Sequence, residues 1–189
     1  MIIVGIDASF TRLGYTIINL NTKEIIIDNL QGKRGNTFQN VFQNACKKSN
    51  ELLKELKDYT IDYLIIEEPF IGREASEGLF LLDGILNYSL ILKGVKEIYN
   101  TNPAYLKTLH GSKYTKADSV NLAKQLIEVY KEYGYSFNKA RYNDDESESF
   151  IFATRLLIRK KLDVAIINPL ININNKLSLE KEKLLYCKV

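Results

Sequence analysis

The chain is 189 residues long, 46% hydrophobic and 26% charged, with a formal net charge of +3. That length suits one domain with a real core, and no apolar run approaches the roughly 20 residues that span a bilayer. Two cysteines, Cys46 and Cys187, without CxxC spacing, argue against a disulfide framework or a zinc site and fit a reducing compartment.

In chain order, Ile2–Asp7 reads as a strand buried on both faces, because it is almost continuously apolar. It opens directly on the N-terminus with no basic stretch before it, so no signal peptide is expected. Residues 14–20 form a second strand, Asn21-Thr22 a hairpin turn, and 24–29 a third strand rich in β-branched isoleucine. A helix over 37–58 follows from apolar positions at helical spacing. Strand four spans 61–67 and is stopped by Pro69. A strongly apolar helix covers 74–93, a fifth strand 95–101, and a short helix 104–109. Two further helices cover 116–133 and 144–161. The stretch 163–189 reads poorly and is expected as a peripheral, flexible extension to a domain of residues 1–162.

Four acids stand at the boundaries of these elements: Asp7 and Glu67 at strand ends, Asp145 and Glu148 in the first turn of a helix. Carboxylates delivered by apolar strands are costly without a cation to neutralise them. Asp145 and Glu148, at i and i+3, share a helix face, with Asp144 and Glu148 as a rival pairing. Taken alone, the helix cluster would be an N-terminal capping group; with Asp7 and Glu67 present, metal ligands are the better reading. Strand alternation sends Glu67 and Glu68 to opposite faces, and Glu67 is the one assigned to the site. Lysines and arginines recur outside these motifs (Lys33-Arg34, Lys107, Lys113, Lys116, Arg155 to Lys161), as a nuclease with an acidic centre needs. For any single lysine, solvation of an isoleucine-rich chain remains the plainer reading.

The run Gly5-Ile6-Asp7-Ala8-Ser9-Phe10-Thr11-Arg12-Leu13-Gly14-Tyr15 resembles the RuvC-type Holliday-junction resolvases of the ribonuclease-H-like, retroviral-integrase superfamily. So do Leu64-Ile65-Ile66-Glu67-Glu68-Pro69-Phe70, the acidic opening of the 144–161 helix, and Asn102-Pro103 through Lys107 to Gly111. The resemblance covers roughly residues 1–160. It implies an α/β, ribonuclease-H-like mixed five-stranded sheet flanked by helices. It also implies a metal-dependent endonuclease that cuts four-way DNA junctions by symmetric paired nicks. The implied metal ligands are Asp7, Glu67, Asp145 and Glu148, holding two Mg²⁺ per site with Mn²⁺ able to substitute. Glu148 stands where the family usually has Asp. Lys107 would approach the scissile phosphate; Lys113 and Lys116 would contact DNA, though Lys116 falls one residue ahead of the family's second lysine, at Ala117. Phe70 matches the aromatic that the family inserts at the junction centre, with core packing as the alternative. His110, the single histidine, reads as structural or solvated.

The family implies a homodimer, for which the apolar helix 74–93 is a candidate face and a buried core helix an equal alternative. Such resolvases occur in bacteria, phages and large DNA viruses; the Ile/Asn/Lys/Tyr bias points to an AT-rich genome such as a phage, hence to a bacterial or phage-infected cytoplasm and no membrane. A flap or branched-DNA nuclease on the same fold, and a non-catalytic branched-DNA binder, are the alternatives. An actin-like ATPase or sugar kinase would require a second glycine-rich phosphate loop, which is not found.

Overall fold

The structure, a computed structural model, describes residues 1–33, 35–69, 77–102, 104–111, 113–179 and 182–188. The elements run β1 (Ile2–Asp7), β2 (Arg12–Asn19), β3 (Glu24–Gln31), α1 (Phe38–Glu55), β4 (Tyr63–Glu67), α2 (Glu77–Lys93) and β5 (Glu97–Thr101). They continue as α3 (Ala104–His110), α4 (Lys116–Glu132), β6 (Ser136–Phe137), α5 (Asp144–Lys160), α6 (Val164–Ile173), a 3₁₀ turn (Asn175–Ser178) and β7 (Glu182–Cys187). They build one mixed sheet in the order β6-β3-β2-β1-β4-β5-β7. β1 pairs antiparallel with β2 and parallel with β4, and β4 pairs parallel with β5.

The expected five strands are thus seven among the described residues. β6 is two residues long, too short to carry any period, and lies parallel to β3. β7 pairs antiparallel with β5 at the sheet edge, where Leu184 and Leu185 are both exposed and the inside-outside alternation that marks a strand is lost. The segment expected as an extension, 163–189, folds as α6, the 3₁₀ turn and β7, and places Ile166, Leu170 and Leu177 in the core. The Leu179 carbonyl accepts a 2.7 Å bond from Nη2 of the buried Arg155.

Side-chain parity divides the core in two. Ile3, Ile18 and Ile65 pack beneath α4 and α5, whereas Ile2, Val4, Ile6, Leu64 and Ile66 pack against α1 and α2. Odd-numbered residues of β1 and β4 therefore face α5, which carries Asp7 and Glu67 to its side. α5 lies directly on the strands because two glycines admit it. A Cβ on Gly5 would fall 2.1 Å from the Ser149 carbonyl oxygen, and one on Gly14 would fall 2.2 Å from that of Asp145. Thr16 Oγ1 and Ser149 Oγ, 2.9 Å apart, tie the same surfaces by a buried hydrogen bond.

Candidate active site

The first turn of α5 is set by a reciprocal cap. Asn143 Oδ1 accepts from Glu146 N at 2.9 Å, and Glu146 Oε2 accepts from Asn143 N at 2.8 Å. This occupies Glu146 in capping and turns Asp145 and Glu148 toward the strand ends. Asp7, Asp145 and Glu148 are 5, 5 and 6% exposed, and Glu67 keeps a rim of exposure at the end of β4. Asp7 and Glu67 share a hydrogen bond, and Glu148 and Asp145 act on both through space.

Burial, then repulsion from Glu67, Glu148 and Asp145, raises the Asp7 carboxyl well above its ordinary range. Burial, then Glu148, pushes Glu67 up to about 7, against the Asp7 hydrogen bond and Lys116, which pull it down. Glu148 is raised by burial, with Tyr114, Lys116 and Ser119 opposing. Tyr114 Oη donates to Glu148 Oε1, and Ser119 Oγ donates to the same oxygen at 3.2 Å.

Asp144 lies at the rim and not among the buried acids. It is 3.2 Å from Arg12 Nη2 and 2.5 Å from Lys116 Nζ. Lys116 also comes within 3.4 Å of Asp145 Oδ1. Burial works to lower its proton affinity, but Asp144 and Asp145 outweigh that and raise it. Arg12 Nε stands 2.8 Å from Asp145 Oδ2 without the alignment of a hydrogen bond, so that buried oxygen has a cationic neighbour but no donor aimed at it.

Lys116 is therefore the lysine that bears on Glu67 and Glu148, although its register in the sequence is a residue early. Lys107 is exposed on α3, and Lys113 is exposed in the turn before α4. Phe70 lies outside the described residues. Arg12, Tyr114 and Ser119 carry no sequence signal that marks them as site residues; Arg12 stands in the quoted Asp7 motif only as a turn residue.

Among the described residues no three of these acids, as they stand, close about one point that could hold a metal ion. The set nevertheless fits a divalent cation. Its donors are all carboxylate oxygens, the ligands Mg²⁺ and Mn²⁺ favour; three are buried and Glu67 nearly so, and burial together with mutual repulsion raises the proton affinity of Asp7, Glu67 and Glu148.

That repulsion has a measurable sign. Asp7, Glu67 and Glu148 all have folded-state affinities above the ordinary values of 3.8 for Asp and 4.5 for Glu. In the interval between ordinary and folded values the native state binds more protons than the unfolded chain. The stability they contribute is complete below the ordinary values and lost as pH rises through the folded ones. Glu67, shifted from 4.5 to about 7, accounts for a loss on the order of 3 kcal/mol. In EDTA the melting temperature is expected to fall between pH 4.5 and 8, and millimolar Mg²⁺ or Mn²⁺ at pH 8 is expected to restore it. A melting temperature that rises over this range in EDTA would refute the electrostatic picture.

Residues 1–160 match the family described as Poxvirus A22 protein. Among curated proteins, no sequence matches. Among solved structures, RuvC of Thermus thermophilus is similar, with a TM-score of 0.56 and 15% identity over 91% of this chain and 95% of that one. RuvC of the same organism in complex with Holliday junction substrate gives a TM-score of 0.56 and 13% identity over 91% and 94%. The yeast mitochondrial Holliday junction resolvase Ydc2 gives 0.50 and 14% over 80% and 75%. At these identities the structures establish a shared ribonuclease-H-like fold. The chain belongs to the Poxvirus A22 protein family, the Holliday-junction resolvases of the poxviruses.

Proposed function

We propose that the chain is a metal-dependent endonuclease that resolves four-way DNA junctions by paired, symmetric nicks. The observation that carries this reading is the convergence of Asp7, Glu67, Asp145 and Glu148, from β1, β4 and α5, in a chain of a resolvase family. RuvC of T. thermophilus, which shares the fold, takes a Holliday junction substrate. The four carboxylates would hold two Mg²⁺, or Mn²⁺ in their place. Bound there, the cations supply water activation and neutralise charge on the leaving oxygen.

The remaining work falls to the chain itself. Tyr114 and Ser119 orient Glu148. Arg12 holds the opening of α5 against β2 through Asp144 and Asp145. Lys116, at the mouth of the site, offsets phosphate charge. No nucleophilic side chain is required. Homodimerisation would use α2, whose inner face buries Leu82, Leu86 and Leu90 while Phe80, Tyr88 and Leu92 stay exposed. These line up at helical spacing with Gly84, where a Cβ would meet nothing within 4 Å. A stripe of this kind is open to a two-fold partner. None of the described helices is long and apolar enough to cross a membrane, and the cytoplasm of an infected cell is the proposed place of action.

The test is cleavage of a labelled four-way junction beside duplex, flap and three-way DNA, with Mg²⁺, Mn²⁺ or EDTA. Metal-dependent paired nicks confined to the four-way junction are expected. Equal cutting of flaps and three-way branches would make the chain a general debranching nuclease, and binding without cutting under every ion would make it a branched-DNA binder. In the same assay Lys116→Ala is expected to slow cleavage about a hundredfold with little change in affinity, as loss of a charge-stabilising group does. Lys107→Ala is expected to weaken binding more than cleavage. The opposite pattern would assign the scissile phosphate to Lys107.

A further inference from the structure

Lys48 lies in the middle of α1 and is 3% exposed. A lysine at that depth is costly unless its donors are met. Its Nζ donates to the Phe10, Leu30 and Ser9 carbonyl oxygens at 2.7, 3.0 and 3.2 Å. Gly32 shapes the slot, since a Cβ there would lie 2.7 Å from both Cε and Nζ of Lys48. Burial draws the ammonium down to about 8, with Glu51 and Asp145 pulling it back up.

Two of those three carbonyls belong to the turn between β1 and β2. Its first flank is Asp7 and its last is Arg12, whose guanidinium reaches Asp144 and Asp145. Ser9 Oγ braces the same turn, accepting from Arg12 N at 3.1 Å. The third carbonyl ties in the end of β3. The helix on the far face of the sheet thus grips, through one ammonium, the turn whose two ends are site groups. An apolar side chain of equal length would fill the slot and take away the ammonium donor on which the Ser9 and Phe10 carbonyls of the turn close.

We propose that Lys48 is a positioning residue for junction cleavage, holding the β1–β2 turn so that Asp7 and Arg12 keep their spacing about Asp145; this rests on the nuclease reading above. The test compares Lys48→Met and Gly32→Ala, which disturb the same contact from its two sides. Leu52→Ala serves as a control, removing a buried apolar side chain of α1 one turn beyond Lys48 and none of the ammonium's hydrogen bonds. Single-turnover cleavage, junction affinity and the Mg²⁺ concentration for half-maximal rate are measured below all melting points.

Lys48→Met and Gly32→Ala are expected to slow cleavage roughly 10- to 100-fold, as an ångström-scale misplacement does. They should raise the Mg²⁺ requirement and leave junction affinity within about twofold. Leu52→Ala is expected to lower the melting temperature yet keep rate and Mg²⁺ requirement near wild type. The inference is overturned if Lys48→Met cuts at the wild-type rate, or if all three variants slow in proportion to lost stability. Should one lysine-slot variant not fold, the other decides alone. A wild-type chain that cuts no four-way junction with any ion would overturn the nuclease reading and this role together.

Discussion

Asp7→Asn is expected to reduce four-way junction cleavage at least about a thousandfold while junction affinity, measured without divalent ion, stays within about threefold. The asymmetry follows from where Asp7 sits. At 5% exposure at the end of β1, it is too deep to be a main contact for duplex arms, so under the proposed function it would hold metal and not grip DNA. Glu67→Gln is expected to behave alike, because Asp7 and Glu67 share a hydrogen bond and the same repulsive field. Both variants should also melt higher than wild type at pH 8 in EDTA, since each removes one member of a buried like-charged group. That gain separates loss of function from loss of fold. Cleavage by either variant at the wild-type rate would remove it from the ligand set.

Gly14→Ala is expected to cost about 3 kcal/mol or more of stability, at or beyond the upper end of ordinary overpacking. It should lower the melting temperature by roughly 10 °C for a chain of this size. The added methyl would lie 2.2 Å from the Asp145 oxygen, 2.4 Å from its carbonyl carbon and 2.9 Å from Glu146 N. All three are backbone atoms, so no rotamer change relieves the clash and α5 must lift from β2. It would lift where Asp145 leaves the helix, so cleavage should fall even well below the melting point. Gly84→Ala, on α2 in open space, is the matched control. There the methyl clashes with nothing and alanine is the better helix former, so stability should hold or rise. Equal melting temperatures for the two variants would mean that α5 does not pack on Gly14 as described.

Burial also explains why the acids belong to one site. The α5 helix buries nearly its whole length, from Asp145 to Ile158, including residues that would ordinarily face solvent. Its polar members are consumed in turn: Glu146 by the cap, Ser149 by Thr16, Arg155 by Thr101 and Leu179. Asp145 and Glu148 are left facing the carboxylates of β1 and β4.

Much of this was legible in the residues alone. β1 and β4 declare themselves because a strand buried on both faces is a short continuous apolar run, and an acid at its end marks where burial stops. The opposed faces of Glu67 and Glu68 needed only the two-residue period of a strand, and the shared face of Asp145 and Glu148 only the helical repeat. These are local properties, carried within a few residues. What the tertiary structure alone decided lies between distant positions. Arg12 meets Asp144 across 132 residues, Tyr114 meets Glu148 across 34, and Lys48 meets the Phe10 carbonyl across 38. β7 finds β5 although its own pattern does not read as a strand. Lys116 stands at the acids because the first turn of α4 ends beside that of α5, a matter of helix packing that no register in the chain records. Periodicity reports which face of an element is apolar; which polar groups meet across the site is set by the elements' mutual placement, and that depends on how the whole core closes.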